Sequence, residues 1–296
     1  MMEEKKKSVG IYCFSATGNT LRVCKLIKEQ LETLGAEVRI MKVEDGYNED
    51  ISPARFDTFA VAYPVHGFNA PQNVVDFAGN FPEGDKGYYI IKSSGEPAPA
   101  NRDSSHQIVK ILRKKGYEMM DEFHYVMPYN MIFRHSQDMV DMMWKRACDA
   151  APFDAKEIFE GGRGAIKQKF RHRVISRLFT LEHGGMRIIG RGFKVDMDKC
   201  IKCGRCVKGC PVQNITFDGE KFSFGKKCLG CVRCSFNCPV NAIHISILEG
   251  WKVNGPYKIG EKKEYDEGKV CRYCNKSYRR YFTESGGNSI EKQIKH

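Results

Sequence analysis

The sequence predicts an α/β chain in two parts: a doubly wound parallel sheet, then a small cysteine-rich α+β domain. Strand and helix patterns alternate through the first half, and eight cysteines fall between Cys200 and Cys238 in one repeated spacing. Alternation implies a parallel sheet with helices on both faces. A chain of 296 residues is long enough for one large domain with its own core and a smaller one held together by metal.

The first strand is the apolar run Ser8 to Phe14. After the loop Ser15-Ala16-Thr17-Gly18-Asn19-Thr20, Leu21, Cys24, Ile27, Leu31 and Leu34 recur at helical spacing. Further strands are predicted at Glu37 to Val43, Asp57 to Ala62, Gly87 to Ile91 and Glu122 to Met127, with helices at Gln72 to Phe81 and Ser104 to Lys115. Past Met127 the pattern lapses into Pro128-Tyr129-Asn130-Met131-Ile132-Phe133, and a helix follows from Gln137 to Ala150.

The loop after the first strand carries chemistry. Its hydroxyls and amide, with the free N–H groups of a helix N-terminus, make an anion cradle that needs no lysine, and Gly18 allows close backbone approach. Neither the Gly-x-x-x-x-Gly-Lys of a triphosphate site nor a Gly-x-Gly-x-x-Gly after a strand is present, so a monophosphate is the better ligand.

In type and position, Ser15 to Thr20 resembles the flavin mononucleotide (FMN) phosphate loop of flavodoxins. The resemblance implies that Tyr63-Pro64-Val65-His66-Gly67-Phe68-Asn69 and Ser93-Ser94-Gly95-Glu96 clasp the isoalloxazine ring, at the strand ends where doubly wound sheets bind ligands. Tyr63, His66 and Phe68 are alternative stacking residues, and Gly67 resembles the flexible peptide that meets the reduced ring nitrogen.

Gly161-Gly162-Arg163-Gly164 is a hinge signal. From Ile166 to Leu181 the basic Lys167, Lys169, Arg171, Arg173 and Arg177 alternate with Phe170, Val174, Ile175, Leu178 and Phe179, a basic amphipathic helix expected to link domains, with partner docking or membrane-surface contact as the other readings. Next come Cys200-x-x-Cys203-x-x-Cys206-x-x-x-Cys210-Pro211 and, 28 residues on, Cys228-x-x-Cys231-x-x-Cys234-x-x-x-Cys238-Pro239. Zinc ribbons take two cysteines from each of two knuckles, whereas each half here offers four in succession. The spacing resembles bacterial two-cluster ferredoxins, in which the fourth cysteine serves the other cluster. That resemblance implies two [4Fe-4S] clusters, one on Cys200, Cys203, Cys206 and Cys238, the other on Cys228, Cys231, Cys234 and Cys210. Short strands at Ile215 to Phe217 and Ala242 to Ile247 are expected to cover them. Cys13, Cys24 and Cys148 read as core packing, Cys271-x-x-Cys274 as structural or incidental, and the polar tail after Thr283 as mobile.

The whole resembles the flavodoxin–ferredoxin fusions, or "ferrodoxins", of anaerobic bacteria, divided as 1–151, a linker 152–191, the cluster domain 192–249 and an extension 250–296. The charged start lacks a signal-peptide core, and clustered thiols without an export signal indicate metal binding in a reducing cytoplasm rather than disulfides. Residues 1–150 hold 19 basic and 21 acidic side chains, net −2; since the chain totals 48 and 36, residues 151–296 hold 29 and 15, net +14. An acidic redox partner suits that half, while no groove-binding motif supports nucleic acid. The resemblance implies an electron carrier joining FMN to the clusters. The alternative is a flavin-dependent reductase of a small molecule, with His66 or Glu96 as the acid.

Overall fold

The structure, a computed structural model, describes residues 6–97, 99–164, 185–260, 276–283 and 285–289. The basic helix expected at 166–181 and the Cys271/Cys274 pair lie outside the described residues. Strands β1 (Ser8–Cys13), β2 (Glu37–Lys42), β3 (Thr58–Pro64), β4 (Gly87–Ser94) and β5 (Glu118–Val126) form one five-stranded parallel sheet in the order β2-β1-β3-β4-β5. This is the flavodoxin-like order, whose ligand crevice opens where β1 and β3 diverge.

Alternation within β1 shows why both faces are covered. Val9, Ile11 and Cys13 face α1 (Asn19–Thr33) and α4 (Gln137–Glu160), where they meet Val23, Ile27, Leu31 and Ala147. Tyr12 and Phe14 face the core built with α2 (Gln72–Gly79) and α3 (His106–Lys114), beside Phe77, Ile108 and Leu112. A parallel strand buried on both sides carries no polar face. Cys13 and Cys24 are buried in the core on the α1 and α4 face, and Cys148 is half-buried. Among the described residues no helix is long and apolar enough to cross a membrane.

Two expectations needed correction. The helix from Gln137 continues past Ala150 to Glu160 with Pro152 inside it, so the domain boundary drawn at residue 151 falls within α4. A mid-helix proline costs about 3 kcal/mol; burial of Ala147, Ala151, Ala155 and Ile158 against the sheet offsets it. Part of the tail expected to be mobile, residues 285–289, is also placed against the sheet, just after a helix. Helix α7 (Lys276–Thr283) packs Tyr278 and Tyr281 on Met139 and Met143. Residues 285–289 then run along the free edge of β5: Ser289 pairs with Phe123, His124 N donates to Asn288 O at 3.1 Å, and Asn288 N donates to Asp154 Oδ1 at 2.7 Å. Edge strands need such cover, and the aromatic face of α7 brings it.

The same edge holds a pH-sensitive group. Burial, helped by a carboxyl–carboxyl hydrogen bond with Glu157, pushes Asp121 up to about 7, while Ser289 and the Glu122 N–H oppose the shift. A raised carboxyl favours the fold fully below its unfolded value of about 4, and that contribution is lost as pH rises through the folded value. Asp121→Asn is therefore expected to be more stable than the native chain at pH 8. The gain should shrink as pH falls toward 4, read as urea midpoints across pH.

The cysteine-rich part pairs β6 (Lys194–Val195) with β9 (Ile243–His244) and β7 (Ile215–Phe217) with β8 (Phe222–Phe224), both antiparallel. Short helices α5 (Arg205–Lys208) and α6 (Arg233–Phe236) each begin beside a cysteine of their motif. The sequence repeat recurs in the backbone. Left-handed residues stand at Lys202 and Gly230, at Gly204 and Val232, and at Gln213 and Asn241, each pair one repeat apart.

Candidate flavin and iron–sulfur sites

A cavity of about 270 Å³ opens at the carboxyl end of the sheet. Ser15, Ala16, Thr17, Asn19, Thr20, Pro64, Val65, His66, Gly67, Phe68, Ser93, Ser94, Gly95 and Glu96 all line it. Gly18 and Tyr63 do not. Gly18 caps α1 with φ 103°, a turn residue rather than a wall. Tyr63 is fully buried, its hydroxyl 3.5 Å from Ser104 Oγ, and so is removed from the stacking candidates, leaving His66 and Phe68.

Hydrogen bonds fix these loops to each other. Leu21 N donates to Ser15 Oγ at 3.0 Å, and Thr20 Oγ1 lies 2.9 Å from Ser93 Oγ, joining the first loop to the end of β4. His66 and Asn69 exchange two backbone bonds of 2.9 Å around Gly67 and Phe68, both at positive φ, so the peptide between them sits at the tip of a two-residue turn. Ser94 Oγ donates to Glu96 O at 2.6 Å, and Asn101 Nδ2 donates to the same oxygen at 3.0 Å. A Cβ on Gly95 would sit 2.0 Å from the Tyr129 ring, so only glycine fits.

Beneath that loop lies a buried ion pair. Lys92 Nζ donates to Glu122 Oε1 at 2.7 Å and to Asn101 O at 2.7 Å, both side chains being almost wholly buried. Desolvation pulls Lys92 down and Glu122 up, and their mutual attraction opposes both shifts. His124, 2.7 Å from Ser94 Oγ, is pushed down to about 3 by burial and then by Lys92 and Arg102, so its ring is neutral. The pair fastens the 101–102 backbone under the cavity wall.

The far walls come from residues with no sequence signal of their own. Met127, Pro128, Tyr129, Asn130, Met131 and Ile132 follow β5, and Asn19 Nδ2 donates to Pro128 O at 2.8 Å. Their position after a strand end, where such sheets bind ligands, was the one available clue. Asn101, Met186, Leu229, Gly230 and Trp251 complete the lining. The donor set suits a phosphate at the helix N-terminus, and the Met127, Tyr129, Leu229 and Trp251 walls suit a planar aromatic ring.

The cysteines surround two smaller cavities. One is lined by Cys210, Cys228, Cys231 and Cys234 under Phe193, Ile215 and Phe224. The other is lined by Cys200, Cys203, Cys206 and Cys238, and also by Cys234, under Val195, Phe222 and Ile243. Among the described residues no three His, Cys, Asp or Glu groups draw together as they would on a single ion; a four-iron cube spreads its thiolates over a wider ring. Backbone donors repeat with the motif: Lys202 N and Gly230 N reach Cys200 and Cys228 Sγ at 3.4 and 3.5 Å, and Asn214 N and Ala242 N reach Cys210 and Cys238 Sγ at 3.2 Å. Such N–H···S bonds tune cluster potential. Burial pushes the Cys231 thiol up to about 12, and the Arg233 N–H and guanidinium oppose the shift.

Residues 193–245 match the 4Fe-4S dicluster domain family. No curated protein sequence matches the chain. Among solved structures, a Streptococcus pneumoniae flavodoxin is 17% identical over 40% of this chain and 83% of its own, with a TM-score of 0.33. The two-electron reduced Megasphaera elsdenii flavodoxin is 21% identical over 40% and 84%, TM-score 0.33. An oxidoreductase from Corynebacterium diphtheriae is 13% identical over 53% and 99%, TM-score 0.38. Strand order and the cysteine repeat define the class independently of those likenesses: a flavodoxin-like α/β domain joined to a two-cluster iron–sulfur domain.

Proposed function

We propose that the chain is an electron-transfer flavo-iron–sulfur protein. It binds FMN in the large cavity and a [4Fe-4S] cluster in each cysteine set, and exchanges electrons with a protein partner. The observation that carries this reading is the joining of a helix-terminal hydroxyl loop and apolar walls in one cavity bordered by the cysteine domain at Leu229 and Gly230. When bound, flavin exchanges one or two electrons and each cluster one. Ser15, Thr17 and Thr20 offer hydroxyls to the phosphate, the Gly67–Phe68 turn borders the ring, and the Phe193, Phe224 and Phe222 side chains exclude water from the thiols. Anaerobic purification with iron, sulfide and flavin analysis on one sample tests it. About eight iron and one flavin per chain is the expected result; a flavin-free protein that takes up no FMN overturns it.

An acidic redox protein is the partner this surface suits. Lys202 and Lys208 are exposed around the exposed Cys203 thiol, and residues 193–245 hold nine basic against four acidic side chains, net +5. Exposed charges steer encounter within a Debye length of about 8 Å at physiological salt. Stopped-flow exchange with an acidic ferredoxin is expected to slow as salt rises, and Lys202→Glu with Lys208→Glu to flatten that dependence. A rate indifferent to both would exclude this face.

A further inference from the structure

Resting on the reading above, we propose that the site formed by Cys210, Cys228, Cys231 and Cys234 is the flavin-facing one, and that Arg233 is the positioning residue that locks it to the phosphate loop. Leu229 lines both the large cavity and this thiol cavity, and Gly230 lines the large cavity beside it. Among the described residues, none that carries or borders the Cys200, Cys203 and Cys206 thiols reaches the large cavity. Cys231 belongs to the core of the N-terminal sheet that also holds Phe14 and Ala16, and Leu229 packs against that core.

Arg233 precedes Cys234 and is mostly buried, its side chain 15% exposed. Its Nε donates to Ala16 O at 2.7 Å and its Nη2 to Ser15 O at 2.8 Å, while Nη1 donates to Gly209 O, beside Cys210, at 3.0 Å. Glu44 closes the arrangement at 2.8 Å, and the guanidinium lies 5.7 Å from the Phe14 ring centroid. One side chain thus holds the phosphate loop and both chain segments of this thiol set. A trans peptide carries its N–H opposite its C=O. Holding the Ser15 and Ala16 carbonyls on the guanidinium therefore turns the Ala16 and Thr17 N–H groups away from it, in two residues that line the cavity. The preceding Val232 sits at φ 49°, a conformation that β-branched residues avoid, so the surroundings enforce it.

The repeat supplies an internal control. Arg205 occupies the equivalent position of the first motif, and it is exposed.

The test uses the full chain loaded anaerobically with both clusters. Arg233→Gln is expected to raise the Kd for FMN about tenfold, the scale of one lost charge-assisted hydrogen bond, with iron and sulfide unchanged; Arg205→Gln should bind FMN as the native chain does. In the native chain, adding FMN to flavin-free protein should alter the reduced-state paramagnetic resonance signal of the Cys210, Cys228, Cys231 and Cys234 cluster. That signal is identified by its survival in Cys203→Ala. If FMN binds but moves only the other cluster's signal, or moves neither, the assignment of the facing cluster is overturned, whether or not Arg233→Gln loads its clusters. FMN affinity unchanged in Arg233→Gln overturns the positioning role. A loaded native chain that binds no FMN overturns the functional reading itself and this inference with it.

Discussion

Cys238→Ala is expected to abolish the cluster held by Cys200, Cys203 and Cys206 and to spare the one held by Cys228, Cys231 and Cys234. Cys238 is the last cysteine of the second motif in sequence but lines the cavity of the first. Cys210 crosses the other way, and Cys210→Ala should remove the second cluster. Resonance spectra of the reduced protein identify which signal is lost, and iron should fall by about half in each variant. Loss of the Cys228, Cys231 and Cys234 cluster from Cys238→Ala would show that each motif serves itself.

The second large effect concerns the phosphate. Thr17 and Thr20 line the cavity at the start of α1, and the Thr20 hydroxyl is already oriented by Ser93 at 2.9 Å. A hydrogen bond to a charged acceptor is worth about 1.5–3 kcal/mol. Changing both threonines to alanine should weaken FMN binding by at least about a hundredfold, at about 1.4 kcal/mol per tenfold. Riboflavin, which has no phosphate, should lose far less. Flavin fluorescence on the full chain measures both; equal affinity of the native protein for riboflavin and FMN would sink the phosphate assignment.

Period and local spacing were legible; long-range packing was not. Strand–helix alternation from Ser8 to Lys115 is written in hydrophobic periodicity, and the cysteine repeat is written in spacing alone. Tyr63 misled because a residue at a strand end can point to the cavity or into the core, and only the pairing of β3 with its neighbours decides. The helix expected to end at Ala150 runs on through Pro152, because helix-breaking is a local cost that the buried alanines around it outweigh. Residues 285–289 read as part of a mobile tail because their partner, the edge of β5, lies over a hundred and fifty residues earlier in the chain. Leu229 carried no signal at all: an aliphatic residue between two cysteines reveals its neighbours only once two domains meet.

The return of residues 276–283 and 285–289 to the N-terminal domain changes what kind of joining this chain represents. The N-terminal domain is completed by segments on both sides of the cysteine domain, and Tyr278 Oη donates to Gly95 O at 2.5 Å, bracing a cavity loop from the far end of the chain. The iron–sulfur unit is therefore an insertion, not an appendage. An appended domain can be cut away or swing free on one tether. An inserted one is anchored at both ends, so a single proteolytic nick leaves the pieces held together and the effective concentration of one redox unit at the other high. Truncation before Lys276 would strip the edge of β5 as well as shorten the protein, so excising the cysteine domain cleanly requires an internal deletion that rejoins α4 to α7.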